Sequence, residues 1–224
     1  MVLGVDVTEF NLAAVVTDLD TVERAEVADV LEFRMDHAED PLQQLASYDG
    51  NLPIIATNRS KAEGGTGGPN RLKHLAEAAT DPSVAAIDVE LASIEDGEAS
   101  DVLRTSRKTD TAVVVSWHDF DGTPSPTILE RRLRSACAQG TVGKVAVTAH
   151  DSGDVLDLLT VTHRLANEGH LVATMSMGEA GRHSRIVAPL YGSRIGYAPL
   201  DVANATAPGQ FTLRTMAELL ETIS

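Results

Sequence analysis

A lone cation stands inside an apolar, β-branched run, Gly143-Lys144-Val145-Ala146-Val147-Thr148. An ammonium buried without partners costs enough free energy that it gives up its proton, and the neutral amine is a nucleophile. The other lysines, Lys61, Lys73 and Lys108, fall in stretches that read as loops or helix surfaces. The plainer expectation for a strand lysine is that it begins the strand and snorkels back to water. Alternation along the neighbouring run argues otherwise. Ala112, Val114, Ser116 and His118 share one face and Val113 and Val115 the other, while Lys144, Ala146 and Thr148 oppose Val145 and Val147. With the valines turned outward, His118 and Lys144 both point inward from adjacent strands.

An amine beside an imidazole suits covalent catalysis on a ketone or aldehyde. The amine forms an iminium that acidifies the adjacent carbon, and the imidazole moves protons near neutral pH. A nearby carboxylate would fix the imidazole tautomer. Arginines then imply an anionic substrate, most simply a carboxylate held by a bidentate pair.

The elements that must position these groups recur regularly. Apolar runs bounded by turn residues occur at Leu12–Val16, Asp29–Arg34, Pro53–Thr57, Val84–Val89, Ala112–Ser116, Lys144–Val147, His170–Thr174 and Arg194–Tyr197. Helical spacing lies between them. Asp40-Pro41 and Ser125-Pro126 are N-cap and N1 pairs, Gly140 and Gly169 suit helix ends, and Asp151 and Thr212 suit helix starts. Eight strands alternating with helices predict an α/β fold, one (β/α)8 TIM barrel occupying residues 1–224 as a single domain. An open doubly wound sheet is the alternative, but no phosphate-binding glycine fingerprint follows the first run.

In such a barrel the chemistry collects where strands end at their C-terminal side. Glu32 and Arg34 end the second run, Arg59 and Glu63 follow the third, and Glu90 follows the fourth. His118 lies beyond the fifth, Arg182 and Arg185 beyond the seventh, and Gln210 beyond the eighth. Two glycine-rich stretches, Glu63–Pro69 and Gly178–Gly181, lack nucleotide-loop spacing and read as a flexible active-site loop and a mobile loop.

Bulk composition narrows the classes further. There are 33 acidic against 18 basic residues, a net charge of −15, which repels nucleic acid and anionic membranes. The same acidity suits molar salt, where screening shortens to about 3 Å and self-repulsion nearly vanishes. A single cysteine, Cys137, fits a reducing cytosol. With no membrane-length apolar run and no basic-then-apolar leader, a soluble cytoplasmic protein is expected. The histidines outside the lysine constellation lack paired ligand spacing, so neither a metal nor a cofactor is expected.

The motifs Glu32-Phe33-Arg34-Met35-Asp36, Arg59-Ser60-Lys61-Ala62-Glu63-Gly64-Gly65, Ser116-Trp117-His118-Asp119-Phe120 and Lys144-Val145-Ala146-Val147 occur in that order. Ser176-Met177-Gly178, Ser184-Arg185 and Ala207-Pro208-Gly209-Gln210 follow them. Together they resemble the type I 3-dehydroquinate dehydratases of the shikimate pathway, from residue 28 to the C-terminus. The resemblance implies that Lys144 forms a Schiff base with the C3 ketone of 3-dehydroquinate. It implies that His118 takes the C2 proton and assists loss of the C1 hydroxyl, and that Glu63 orients His118. It further implies that Arg185 holds the substrate carboxylate, that Glu32, Arg34 and Arg59 line the ring hydroxyls, and that Thr206 and Gln210 meet substrate from a closing loop. Relatives of this kind are commonly dimers, which implies a homodimer. Glu90 and Arg182 match no role in the family and read as solvated rim charges.

Two other readings use the same residues. A class I aldolase shares barrel and imine, but the region after the last two strands offers arginine and glutamine rather than a cluster of glycine amides. A non-catalytic barrel is disfavoured by the presence of both His118 and Lys144.

Overall fold

The computed structural model describes residues 8–201, 207, 209 and 210 and 211–223. Its strands are β1 (Asn11–Val16), β2 (Val30–Arg34), β3 (Ile54–Thr57), β4 (Val84–Glu90), β5 (Ala112–Asp119), β6 (Val142–Thr148), β7 (Val172–Met177) and β8 (Ile195–Pro199). All eight predicted runs are strands. The helices are α1 (Pro41–Ser47), α2 (Arg71–Ala78), α3 (Leu91–Glu95), α4 (Ser100–Thr109), α5 (Pro126–Gln139), α6 (Ser152–Asn167), α7 (Gly178–Gly181), α8 (Ser184–Val187) and α9 (Leu213–Ile223). Neighbouring strands run parallel in the order β7-β6-β5-β4-β3-β2-β1-β8.

The sheet curls into a nearly closed barrel. β8 lies along β1 from Asn11↔Ile195 to Val15↔Pro199. β7 meets the β8 end through one bridge, Val172↔Ser193, and the Arg194 N–H donating to Val172 O at 2.7 Å.

Period-two alternation sorts the side chains. Val145 and Val147 leave β6 on the outside and join Leu129, Leu133, Leu158 and Leu165 of α5 and α6 in a dry cluster. Fully burying each such side chain contributes about 1.5–3 kcal/mol. The inner face carries Val30, Ile55, Ala86, Ala112, Val114 and Ala146, so the barrel floor is filled with small and branched groups. The charged residues on the same inner face therefore lie nearer the C-terminal mouth.

Helix boundaries follow the predicted signals more closely than the capping chemistry does. Asp151 caps α6, its carboxylate accepting from the Gly153 and Asp154 N–H groups, and Gly169 takes a positive φ of 89° after the helix. Asp40 and Ser125 precede α1 and α5 without a side-chain cap, Asp40 sitting in the left-handed region instead. Gly140 does end α5, but at φ −144°, in extended backbone. Glycine is needed there for room, because an added Cβ would lie 2.7 Å from Val113 O. Gly178–Gly181, expected as a mobile loop, is a helical turn in which Gly181 is pressed against Ser176.

The glycine stretch after β3 is folded rather than loose. The Gly65 N–H donates to Ser60 O at 2.8 Å, the Gly67 N–H to Arg59 O at 2.9 Å, and the Thr66 N–H to Asp36 at 3.1 Å. Thr66 Oγ1 also donates to Asp36 O. An added Cβ at Gly65 would come within 2.2 Å of Arg59 O, so close backbone approach accounts for glycine at that position.

Candidate active site

Five neighbouring strands deliver a connected polar cluster to the barrel mouth. Lys144 is 4% exposed, and its Nζ lies 2.9 Å from Asp88 Oδ2 and 3.5 Å from Glu32 Oε1. The lysine does point inward, yet it is not the partnerless amine expected from its setting. Two carboxylates stand beside Nζ, and the ring of Tyr197 lies with its centroid 3.9 Å away.

Asp88 is the member that sequence reasoning missed, because a single aspartate inside Val84–Val89 reads as part of the apolar run. Alternation was the available signal. Ala86, Asp88 and Glu90 share the inner face, whereas Ile87 and Val89 enter the outer core. Asp88 Oδ1 accepts from Ser116 Oγ at 2.6 Å and pairs with Arg59 Nη2 at 2.8 Å. The Arg59 Nη1 group donates to Ser116 Oγ at 2.6 Å. Although burial opposes the charge, Arg59 and Lys144 hold the Asp88 carboxyl well below the usual carboxylate range. Arg59 is 4% exposed and is pushed above the ordinary guanidinium value by Asp88, Glu90 and Glu63 acting against its desolvation.

His118 stands two pairs further along the β5–β6 ladder, since Ser116 pairs with Lys144, Trp117 with Val145 and His118 with Ala146. Its Nδ1 lies 2.7 Å from Glu63 Oε2, leaving Nε2 as the ring nitrogen that Glu63 does not engage. Burial first, and then the cationic Arg59 and Lys144, hold His118 well below the ordinary imidazole value. Burial also pushes the Glu63 carboxyl up to about 7, opposed by Arg59 and reinforced by Glu90 and Asp88. Phe120 stacks beside the imidazole with ring centroids 6.0 Å apart.

The remaining predicted site residues divide by location. Glu32 accepts from Thr57 Oγ1 at 3.1 Å, and Arg34 binds Asp36 through both Nε and Nη2, at 2.9 and 2.8 Å. Gln210 lines the cavity while its Oε1 accepts from the Ala207 N–H at 3.1 Å. Thr206 lies outside the described residues. Arg185 is 4% exposed, and its Nε and Nη2 have no partner among the described residues. Burial alone pulls its guanidinium down to about 10. A buried guanidinium with unpaired donors is a strong receptor for a planar anion.

Glu32, Arg34, Arg59, Glu63, His118, Lys144, Arg185 and Gln210 all line one cavity, whose apolar wall includes Met175, Met177 and Tyr197. Glu90 and Arg182 depart from expectation. Glu90 is 1% exposed and fully engaged, and Arg182 is half-buried with its guanidinium 4.2 Å from the Phe211 ring centroid. Among the described residues there is no cluster of three or more His, Cys, Asp or Glu side chains suited to a metal, and no helix is long and apolar enough to cross a membrane.

Comparison with known proteins gives a consistent result over the same span. The family model described as type I 3-dehydroquinase matches residues 4–224. The 3-dehydroquinate dehydratase of Halobacterium salinarum is 49% identical over 218 residues, 95% of this chain and 96% of that one. The protein of the same name from Haloarcula marismortui is 50% identical over 221 residues, 96% of each. Among solved structures, the 3-dehydroquinate dehydratase of Geobacillus kaustophilus superposes with a TM-score of 0.84 at 30% identity, covering 96% of this chain and 91% of its own. The type I enzyme of Clostridium difficile, crystallised with covalently modified comenic acid, gives 0.86 at 25% identity, covering 100% and 96%. With the match running nearly end to end and the polar cluster seated at the barrel mouth, the chain belongs to the type I 3-dehydroquinases, hydro-lyases that act in the shikimate pathway.

Proposed function

We propose that this protein dehydrates 3-dehydroquinate to 3-dehydroshikimate through an imine on Lys144. One observation carries the reading: a buried amine and a buried guanidinium, two of whose nitrogens have no partner among the described residues, open on the same cavity. The guanidinium of Arg185 takes the substrate carboxylate. This presents the ring ketone to Lys144, while Glu32, Arg34 and Arg59 meet the hydroxyls and Thr206 and Gln210 cover the ring.

The attacking form of Lys144 is the neutral amine, so one proton leaves Nζ as the ketone binds. Neutral His118 accepts it and returns it to the carbinolamine oxygen, which departs as water to give the iminium. His118 is then free to take the proton from C2, and the C–H electron pair flows into the iminium to form an enamine. That pair returns to expel the C1 hydroxyl, which takes the proton from His118 and leaves as a second water. Hydrolysis of the conjugated iminium consumes one water and frees both product and Lys144, so the net change is loss of one water. Glu63 holds the imidazole by Nδ1 and stabilises its cation during each transfer. Asp88 steadies the lysine through all steps, its other oxygen being fixed by Ser116 and Arg59.

The same reading makes residues 1–224 a single catalytic unit working in the cytoplasm for aromatic amino-acid biosynthesis, as a homodimer without nucleic-acid partners. The relatives in salt-loving archaea and the net charge of −15 support a protein suited to molar salt. Greatest stability in dilute buffer would exclude that last point. The central test is incubation with 3-dehydroquinate and borohydride, followed by peptide mass spectrometry. A reduced adduct on Lys144 is expected. Turnover without trapping, or an adduct on another lysine, removes the imine.

A further inference from the structure

We infer that Glu90 and Arg71 are positioning residues: a single carboxylate clasps both ends of the loop that carries Glu63, and Arg71 locks that clasp. The inference rests on the role given above to Glu63 and His118. It departs from the sequence pattern, which marks Glu90 as a solvated rim charge and is silent on Arg71.

Glu90 ends β4 on the inner face and is buried. Its Oε1 accepts from the Ser60 N–H at 2.8 Å, the residue that opens the loop. Its Oε2 accepts from Arg71 Nη1 at 2.6 Å, and Arg71 is the first residue of α2, where the loop finishes. Arg71 Nη2 then donates to Ser93 Oγ at 2.5 Å, tying the loop's far end to α3. On the other side of Ser60, its carbonyl accepts from the Glu63 N–H at 3.2 Å and the Gly65 N–H at 2.8 Å. The turn Lys61–Glu63 is thus hung from a residue, Ser60, whose N–H and C=O are both fixed. Among the described residues the side chain hydrogen-bonded to Glu63 is His118, at 2.7 Å, so where the turn sits decides where the imidazole is held.

Charge makes the clasp more than scaffolding. Glu63 is faced by Arg59 from the end of β3 at 3.9 Å, by Asp88 and Glu90 from β4, by His118 from β5 and by Lys144 from β6. Glu90 is itself faced by Arg59 at 3.5 Å and by Arg71. Removing the negative charge at Glu90 makes Glu63 easier to ionise, whereas removing Arg71 leaves Glu90 less compensated and makes Glu63 harder to ionise. A purely structural role has no reason to move the pH profile in opposite directions.

The experiment compares the pH dependence of kcat/KM in the wild type, Glu90→Gln, Arg71→Met and Glu63→Gln, with folding checked by thermal melts. The acid limb is expected to move down by about half a pH unit in Glu90→Gln and up by a similar amount in Arg71→Met. In both, kcat falls roughly tenfold while KM stays within about twofold, since neither residue lines the substrate cavity. Arg71→Lys should restore much of kcat and return the limb to its wild-type position. It also carries the test if Glu90→Gln fails to fold, because failure of Lys to restore what Met removes overturns the role of the charge. Adding Glu90→Gln to Glu63→Gln should move the profile no further. Shifts of the same sign, an unmoved profile, or a rise in KM with kcat unchanged would each overturn the clasp. A Glu63→Gln protein with wild-type activity and profile would instead sink the underlying assignment of Glu63, so the two failures are distinct.

Discussion

The two sides of the barrel mouth handle buried charge in opposite ways. Across β2 to β6, Lys144, Asp88, Arg59, Glu63 and Glu90 all have partners, and one guanidinium serves three carboxylates at 2.8, 3.5 and 3.9 Å. At the β7–β8 side, Arg185 keeps two donor atoms without a partner among the described residues, and so does the Tyr197 hydroxyl. Buried polar groups are ordinarily satisfied, so this asymmetry carries information. Under the proposed mechanism the paired side is arranged in advance for proton transfer and imine chemistry. Under the same proposal the unpaired side costs stability until an anion completes it.

The largest expected effect tests the paired side directly. Lys144→Ala should lower turnover by at least about 10⁴-fold, the scale on which loss of a covalent nucleophile is felt. Circular dichroism should remain native, and near-normal turnover would remove the lysine from the mechanism. Next comes a pair of substitutions with opposite consequences for stability. Arg59→Met leaves Asp88, Glu63 and Glu90 uncompensated and should destabilise by about 3–5 kcal/mol in urea titrations. Arg185→Met removes a buried charge whose Nε and Nη2 have no partner among the described residues, and should leave stability unchanged or raise it by about 1–4 kcal/mol. It should also raise KM by roughly 10- to 100-fold through loss of charge-assisted hydrogen bonds to the carboxylate. Equal destabilisation by both would erase the contrast.

A smaller effect concerns pH. Because Glu63 sits at about 7, its carboxyl takes up a proton as pH falls through that value. It then ceases to stabilise an imidazolium. Since His118 stays neutral over the same range, kcat/KM should decline below about pH 7, and Glu63→Gln should flatten that decline while lowering the rate roughly 10- to 100-fold. An unchanged acid limb in Glu63→Gln would assign it to another group. The smallest change is Tyr197→Phe, which deletes a buried hydroxyl without a partner among the described residues and keeps the ring over Nζ. Stability should hold or improve by about 1 kcal/mol and turnover should stay within about twofold. A tenfold loss would give the hydroxyl a direct part in the reaction.

The same comparison explains what could be read from the chain alone. Strand number, barrel class and the inward aim of Lys144 and His118 depend on period-two alternation, which is local and survives in the sequence. The companions of Lys144 are a long-range matter. Asp88 lies 56 residues away from it, and although alternation with Ile87 and Val89 turns Asp88 inward, nothing local to it names Lys144 as its partner. Glu90 departs from expectation for a related reason, since a carboxylate at a strand end is usually solvated, whereas Ser60, Arg59 and Arg71 all converge on this one. The glycine stretch after β3 was read as flexibility, but its glycines answer to steric demands set by the Arg59 carbonyl. Arg185 was expected to hold an anion through the family motif. That its Nε and Nη2 lack partners among the described residues is a property of packing that no spacing could reveal.

The single bridge between β7 and β8 has a consequence for how the molecule is made. Six of the strand ladders join neighbours in sequence, whereas the ladder between Asn11–Val15 and Ile195–Pro199 joins the two ends of the fold. Non-local pairings bear the full loop-closure entropy before they return any contact energy, so they form late. The side from β2 to β6 that holds Lys144 and His118 can assemble from adjacent pieces. The β7–β8 side is complete only when β1 and β8 meet, so the surroundings of Arg185 are expected to form last in folding and to open first at this seam.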